Sequence, residues 1–317
     1  MPFDAPPLSL DLRSVVKRYA PDAPYAVDGI DLAVAHGEIF GLLGPNGAGK
    51  TTTIGIATTR VRPTSGTVVV AGIDVRTHPS VAKRNIGVVT QFNTLDRACT
   101  VEENLYFHGR FFGMSRRTAR ARTQALLDRF GLGDRGPTMV ANLSGGLARR
   151  TQLACALMHD PAVLFLDEPT TGLDPQSRMA LWDSVRALRE AEGMAVILTT
   201  HYIEEADALC DRVAVMNAGK VLVCDTPERI KRQSGDGILV TLRLRAADPD
   251  LARMLRAIPG VTAVDPDDDV IRVHVIGVDG VIPQVVALAG AELRDLAVAE
   301  PSLETAFIAL TGRALVP

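Results

Sequence analysis

Aromatic residues are scarce in this chain: 4% of 317 residues, with one Trp. A surface that stacks single-stranded bases needs several of them, so that class of function is disfavoured. A basic excess is missing too. Lys and Arg number 34 against 37 Asp and Glu, a formal net charge of −3, which argues against a general nucleic-acid binder. Cysteine is sparse. Cys99, Cys155, Cys210 and Cys224 show no C-x-x-C spacing, so neither disulfides nor a cysteine metal site are expected. Cys155 falls in an apolar helix pattern and reads as a small core residue. No apolar run approaches the ~18–20 residues of a membrane span. The opening Met1-Pro2-Phe3-Asp4-Ala5-Pro6-Pro7 lacks the basic and apolar regions of a signal peptide. The chain is therefore not expected to form a membrane pathway by itself. What it has is 47% hydrophobic content, enough for two domains with cores of their own.

The most informative segment is Gly44-Pro45-Asn46-Gly47-Ala48-Gly49-Lys50-Thr51. It fits G-x-x-x-x-G-K-[ST] without departure. Glycines let successive N–H groups turn toward one anion. Lys50 adds a positive charge for the β- and γ-phosphates, and Thr51 offers a hydroxyl to Mg²⁺. The preceding Glu38-Ile39-Phe40-Gly41-Leu42-Leu43 is of strand type, and Thr51-Thr52-Thr53-Ile54-Gly55-Ile56 can open a helix whose N-terminus favours phosphate. A second apolar strand, from Asp160 to Phe165-Leu166, ends in Asp167-Glu168. Two carboxylates closing a buried strand are costly unless a cation or a reaction uses them. In a parallel sheet the carboxyl ends of strands line the ligand crevice. There Asp167 can hold Mg²⁺ through water, and Glu168 can polarise an attacking water.

Leu143-Ser144-Gly145-Gly146 precedes a helical pattern from Leu147 to Leu157, with Ser144 as its N-cap. Set between the phosphate loop and the acidic strand, this resembles the signature motif of ATP-binding-cassette (ABC) ATPases. Further positions match that family in order. Gln91 after Ile86-Gly87-Val88-Val89-Thr90 resembles the Q-loop glutamine, Gly172-Leu173-Asp174 the D-loop, and His201 after Ala195–Thr200 the switch histidine. Tyr19 matches the aromatic that stacks on adenine, with Tyr25 a rival for that role. The resemblance covers roughly residues 8–225. One position departs: Leu147 stands where the family usually has Gln. The Ser302–Arg313 tail and Thr90-Gln91-Phe92-Asn93-Thr94-Leu95-Asp96 are similar to the drug-resistance ATPase subunits of bacterial ABC exporters, the daunorubicin-resistance type.

The expected fold class is α/β: a phosphate-loop cassette with a parallel core sheet, an antiparallel β subdomain and a helical subdomain. A small α+β domain follows it. The boundaries read as a tail over 1–7, a cassette over 8–231 with its helical part at about 92–150, a linker over 232–237, and a second domain over 238–317. The second domain's pattern is βαββαβα, a ferredoxin-like order. Arg110, Arg116, Arg117, Arg120 and Arg122 read as a solvated helix face or a surface near anionic lipid. His274, inside a strand alternation, reads as structural, and Trp182 as packing.

The resemblance implies ATP and Mg²⁺ as cofactors. Adenine would lie on Tyr19, with phosphates on the loop from Gly44, Pro45, Asn46, Gly47 and Ala48 through Gly49, Lys50, Thr51 and Thr52. The metal would sit at Thr51, Gln91 and Asp167. Glu168 would act as general base, helped by His201, Gln91 and Lys50. Ser144, Gly145, Gly146 and Asp174 of a second copy would cover the same nucleotide in a head-to-tail homodimer. The partners implied are that second copy and a type-2 ABC membrane permease, at the cytoplasmic face of the membrane, with no nucleic acid. An ABC ATPase of ribosomes or DNA, and an importer ATPase, are the alternative readings.

Overall fold

A strand covered on both faces has no reason to alternate polar and apolar residues. Three segments of this chain follow that rule. Ile39–Leu43, Val163–Asp167 and Ala195–Thr200 are buried at every position. The computed structural model, described here for residues 8–233, 237–246, 248–276, 280–299 and 302–311, builds its first unit around them. Along that unit run β1 (Leu8–Arg18), β2 (Tyr25–Ala35), β3 (Ile39–Leu43), α1 (Lys50–Ala57), β4 (Ser65–Val70), β5 (Ile73–Asp74), α2 (Pro79–Arg84), β6 (Ile86–Val89), α3 (Val101–Phe111), α4 (Arg116–Arg129), α5 (Gly145–Ala156), β7 (Val163–Asp167), α6 (Pro175–Glu192), β8 (Ala195–Thr200), α7 (Ile203–Leu209), β9 (Arg212–Asn217) and β10 (Lys220–Asp225).

The central sheet has the order β10-β9-β3-β8-β7-β6, parallel except for the β10–β9 hairpin. Register aligns the carboxyl ends: Leu43 stands opposite Thr200, Asp167 opposite Thr199, and Val89 opposite Leu166. The loops after β3, β6, β7 and β8 therefore leave from one edge. A second sheet, β2-β1-β4-β5, is antiparallel throughout. Leu10, Leu12, Val68 and Val70 from it share one core with Phe40, Ile54, Phe165 and Ile197. This core clamps α1, and with it the phosphate loop, between the two sheets.

The helices start where their sequences provide caps. Thr100 and Glu103 form a reciprocal capping box on α3. Ser115 caps α4, Ser144 caps α5, and Asp174 caps α6 with Pro175 in its first turn. Cys155 is buried, in the role expected of it. Trp182, read as a packing residue, is half-buried and donates its indole N–H to Glu205 Oε1 at 3.0 Å. On α4, Arg116, Arg117 and Arg120 are exposed, whereas Arg122 donates to Leu157 O and Asp160 Oδ1, both at 3.2 Å. No helix of the described residues is long and apolar enough to cross a membrane.

The second unit begins at Thr226, immediately after Asp225. It runs α8 (Pro227–Gln233), β11 (Gly237–Leu244), α9 (Pro249–Leu255), β12 (Val261–Asp267), β13 (Val270–Ile276), α10 (Val281–Ala289), β14 (Leu293–Ala299) and α11 (Leu303–Thr311). The βαββαβα pattern thus appears element for element. Its sheet is antiparallel, in the order β12-β13-β11-β14. Val240, Leu242, Leu251, Leu255, Val273 and Val285 fill its core. His274 lies on β13, 3.6 Å from Asp265. Of the linker expected at 232–237, Arg232 and Gln233 close α8, Gly237 opens β11, and 234–236 lie outside the described residues. The tail at 1–7 lies outside them too, as do residues 312 and 313 of the Ser302–Arg313 segment.

Candidate active site

The loop between β3 and α1 is shaped by its glycines. Gly49 has φ +104, and a Cβ there would stand 2.3 Å from Ala26 O, so no other residue fits. Gly47, at φ +81, faces open space. An open pocket of about 240 Å³ is bounded by Ala26, the loop from Pro45 to Thr52, and Glu168. A wider cleft of about 370 Å³ at Glu102, Tyr106 and Arg120, on α3 and α4, shares none of these groups.

Lys50 is 4% exposed. Its ammonium donates to Gly44 O at 2.6 Å and Pro45 O at 3.1 Å, and lies 3.7 Å from Glu168 Oε1. Burial pushes its pKa down, opposed by the charges of Glu168 and Asp167. Thr51, next along α1, donates its hydroxyl to Asp167 Oδ1 at 3.1 Å. A carboxylate beside a hydroxyl is a donor pair suited to a hard divalent cation. Among the described residues no three His, Cys, Asp or Glu side chains gather for a metal. A cation here would draw its other ligands from phosphate oxygens and water.

Glu168 is the meeting point. It sits one residue past the end of β7 with φ +46, a left-handed conformation that a non-glycine residue adopts at a cost. Its Oε2 accepts from Gln91 Nε2 at 3.0 Å and from Thr171 Oγ1 at 3.3 Å. Its Oε1 lies 3.3 Å from His201 Nδ1, close but without hydrogen-bond alignment. Lys50, Thr51, Gln91, Asp167, Glu168 and His201 thus converge from the segments at and after the carboxyl ends of β3, β6, β7 and β8.

Among the described residues no hydrogen bond or ion pair joins Ser144, Gly145 or Asp174 to this cluster, whereas Tyr19 reaches its edge. Ser144 accepts from Leu147 N at 3.4 Å as the cap of α5, and Gly145 beside it is exposed. Asp174 accepts from the Ser177 hydroxyl at 2.6 Å and the Ser177 N–H at 2.9 Å, which hold its carboxyl below the ordinary range. Tyr19 is 63% exposed, with its hydroxyl 3.5 Å from Thr52 Oγ1. Tyr25 is 47% exposed, under the Arg18 guanidinium. Of the two tyrosines, only Tyr19 reaches the phosphate-loop helix by a hydrogen bond.

Some contributors gave no motif signal. Arg149, buried on α5, donates to Thr90 O at 2.6 Å and Gln91 O at 3.1 Å. Gln152 donates to Phe92 O at 3.0 Å. One helix thereby fastens three consecutive carbonyls around Gln91. Ser177 packs on Gly146 so closely that a Cβ at Gly146 would stand 2.4 Å from Ser177 Oγ. Thr199 bonds to both Asp167 and Glu168.

Comparison with known proteins agrees with this geometry. The family model described as ABC transporter matches residues 27–171. The daunorubicin resistance ATP-binding protein DrrA2 of Streptomyces coeruleorubidus is 43% identical over 295 residues, covering 90% of each chain. The Nod factor export ATP-binding protein I of Rhizobium meliloti is 39% identical, covering 99% of this chain and 91% of its own. Among solved structures, the dimeric post-hydrolysis state of the ATP-binding cassette MJ0796, bound to ADP and Pi, matches with a TM-score of 0.62. It is 27% identical and covers 68% of this chain and 98% of its own. A phosphate loop, two carboxylates and their satellites on one sheet edge, together with identity along nearly the whole chain, place the chain among the ABC transporter ATP-binding proteins of the daunorubicin-resistance family: it is an ATPase.

Proposed function

We propose that the chain is the ATP-hydrolysing motor of an ABC efflux transporter, working as a head-to-tail homodimer beneath a type-2 membrane permease and so held at the cytoplasmic face of the membrane. The observation that carries the catalytic part is the convergence of Lys50, Thr51, Gln91, Asp167, Glu168 and His201 at one sheet edge. The export part is supported by relatives whose names describe daunorubicin resistance and Nod factor export. Lys50 and the loop amides hold the β- and γ-phosphates of ATP, and Tyr19 supports the adenine. Thr51, Gln91 and Asp167 are the candidate ligands of Mg²⁺, which when bound neutralises the phosphate oxygens. Glu168 orients the attacking water and takes its proton as the water oxygen bonds to the γ-phosphorus and the bond to the leaving ADP oxygen breaks. His201 stabilises charge on the γ-phosphate. Ser144 and Gly146 of the second copy close over that phosphate, so hydrolysis removes the charge that bridges the dimer.

Glu168→Gln tests this reading. The amide keeps the shape but cannot take a proton. ATP binding should persist, steady-state hydrolysis should fall by roughly 10²–10⁴-fold, the range of general-base catalysis, and the dimer should accumulate with ATP. Capture of that trapped dimer from membranes should bring down an integral membrane permease. Unchanged hydrolysis would remove Glu168 from its role.

A further inference from the structure

Thr199, the next-to-last residue of β8, is fully buried. The register of the sheet sets it directly opposite Asp167. Its hydroxyl makes two bonds of opposite sense. It donates to Asp167 Oδ1 at 2.7 Å and accepts from the Glu168 backbone N–H at 2.9 Å. The direction is fixed by the donor: a backbone N–H can only donate, so the hydroxyl oxygen accepts from Glu168 and its single proton goes to Asp167. Two further facts give this geometry a purpose. Asp167 Oδ1 also accepts from Thr51 at 3.1 Å, and Thr51 is the hydroxyl a metal ion would recruit. Thr199 would keep that oxygen partnered if Thr51 turned to a metal ion. Glu168 leaves the strand at φ +46, and the Thr199 hydroxyl and carbonyl, at 2.9 and 3.2 Å, hold its N–H at that turn. A β-branched side chain on a strand has a restricted χ1, so the hydroxyl is pre-set rather than recruited.

We propose that Thr199 is a positioning residue of the hydrolysis site, whose one hydroxyl aims both the Asp167 carboxylate and the backbone turn that carries Glu168. The inference rests on the roles proposed above for those two carboxylates.

The test compares Thr199→Val with Thr199→Ser. Valine keeps the methyl and the shape, and serine keeps the hydroxyl. If the hydroxyl positions the site, Thr199→Val should lower kcat about 10–100-fold, the scale of a lost hydrogen bond to a charged group, while Thr199→Ser stays within about 3-fold. The KM for ATP should change little in either. Amide exchange at Glu168 should speed up in Thr199→Val and not in Thr199→Ser, a readout independent of turnover. If Thr199→Val does not fold, Thr199→Ala against Thr199→Ser isolates the same hydroxyl. A packing role reverses the order, with serine the worse variant, and that order would overturn the inference, as would Val activity within twofold of wild type. Full activity in Thr199→Val beside an inactive Glu168→Gln overturns only this inference. Full activity in Glu168→Gln overturns the site assignment beneath it.

Discussion

His108 on α3 sits away from the catalytic cluster and has an electrostatic consequence of its own. Its Nε2 is buried without a hydrogen-bond partner. The His159 ring lies 5.9 Å away, and Phe112 stacks on His159 with centroids 3.7 Å apart. Burial, and then the neighbouring His159, push the His108 pKa from 6.5 down to about 4. The unfolded chain therefore binds a proton between pH 6.5 and 4 that the folded chain refuses, and stability falls as pH falls through that window. The contribution is at most about 3 kcal/mol. Thermal melting of the first unit should show a steeper loss of Tm between pH 7 and 5 than in His108→Phe, which cannot titrate. Equal slopes in the two proteins would sink the assignment, whatever their absolute Tm values.

At the scale of elements, α5 does more than present a signature sequence. Its inner face carries Arg149, 6% exposed, whose acceptors are the Thr90 and Gln91 carbonyls. Burial lowers the Arg149 pKa, and the charges of Glu205 and Asp167 oppose the shift. Arg149→Met should strip two carbonyls of a charged donor and cost about 1–3 kcal/mol in urea unfolding. It should also reduce ATPase activity at temperatures where the variant is still folded, because Gln91 loses its backbone anchor. If neither changes, α5 does not hold the loop. This contact also shows where sequence reading stops. The buried strands were legible because parallel strands are apolar throughout, and the cluster because its members follow the ends of strands in recognisable motifs. Arg149 lies 59 residues from Thr90 and reads only as one basic position in a helix. Thr199 looks like an ordinary β-branched strand residue, and its role appears only once register brings it to Asp167. The cassette expected over 8–231 takes in the start of α8 from Pro227 to Lys231, whereas α8 packs on α11 of the second unit.

For the whole molecule the question is where one site is completed. The chain carries one phosphate loop and one signature, and among the described residues no hydrogen bond or ion pair joins Ser144 or Gly146 to Lys50. If sites are shared, each uses Lys50 of one copy and the signature of the other. Mixing two inactive variants tests this, and the choice of signature variant matters. A side chain at Gly146 would collide with Ser177 of its own chain at 2.4 Å, so a loss there would report broken α5–α6 packing. At Gly145 the nearest atom to an added Cβ is Leu173 Cδ2 at 3.7 Å. An Asp in that first turn is favoured by the helix dipole and leaves its own fold intact. Gly145→Asp instead brings a carboxylate to the surface proposed to cover the partner's γ-phosphate. Combined with Lys50→Ala in a purified heterodimer, it leaves one site with both lesions and one with neither. Hydrolysis should return in the mixture while each homodimer stays inactive. A self-contained site predicts no recovery, because each chain keeps its own lesion. An inactive mixture, together with full-rate hydrolysis by a monomeric wild-type chain, would rule out the shared site.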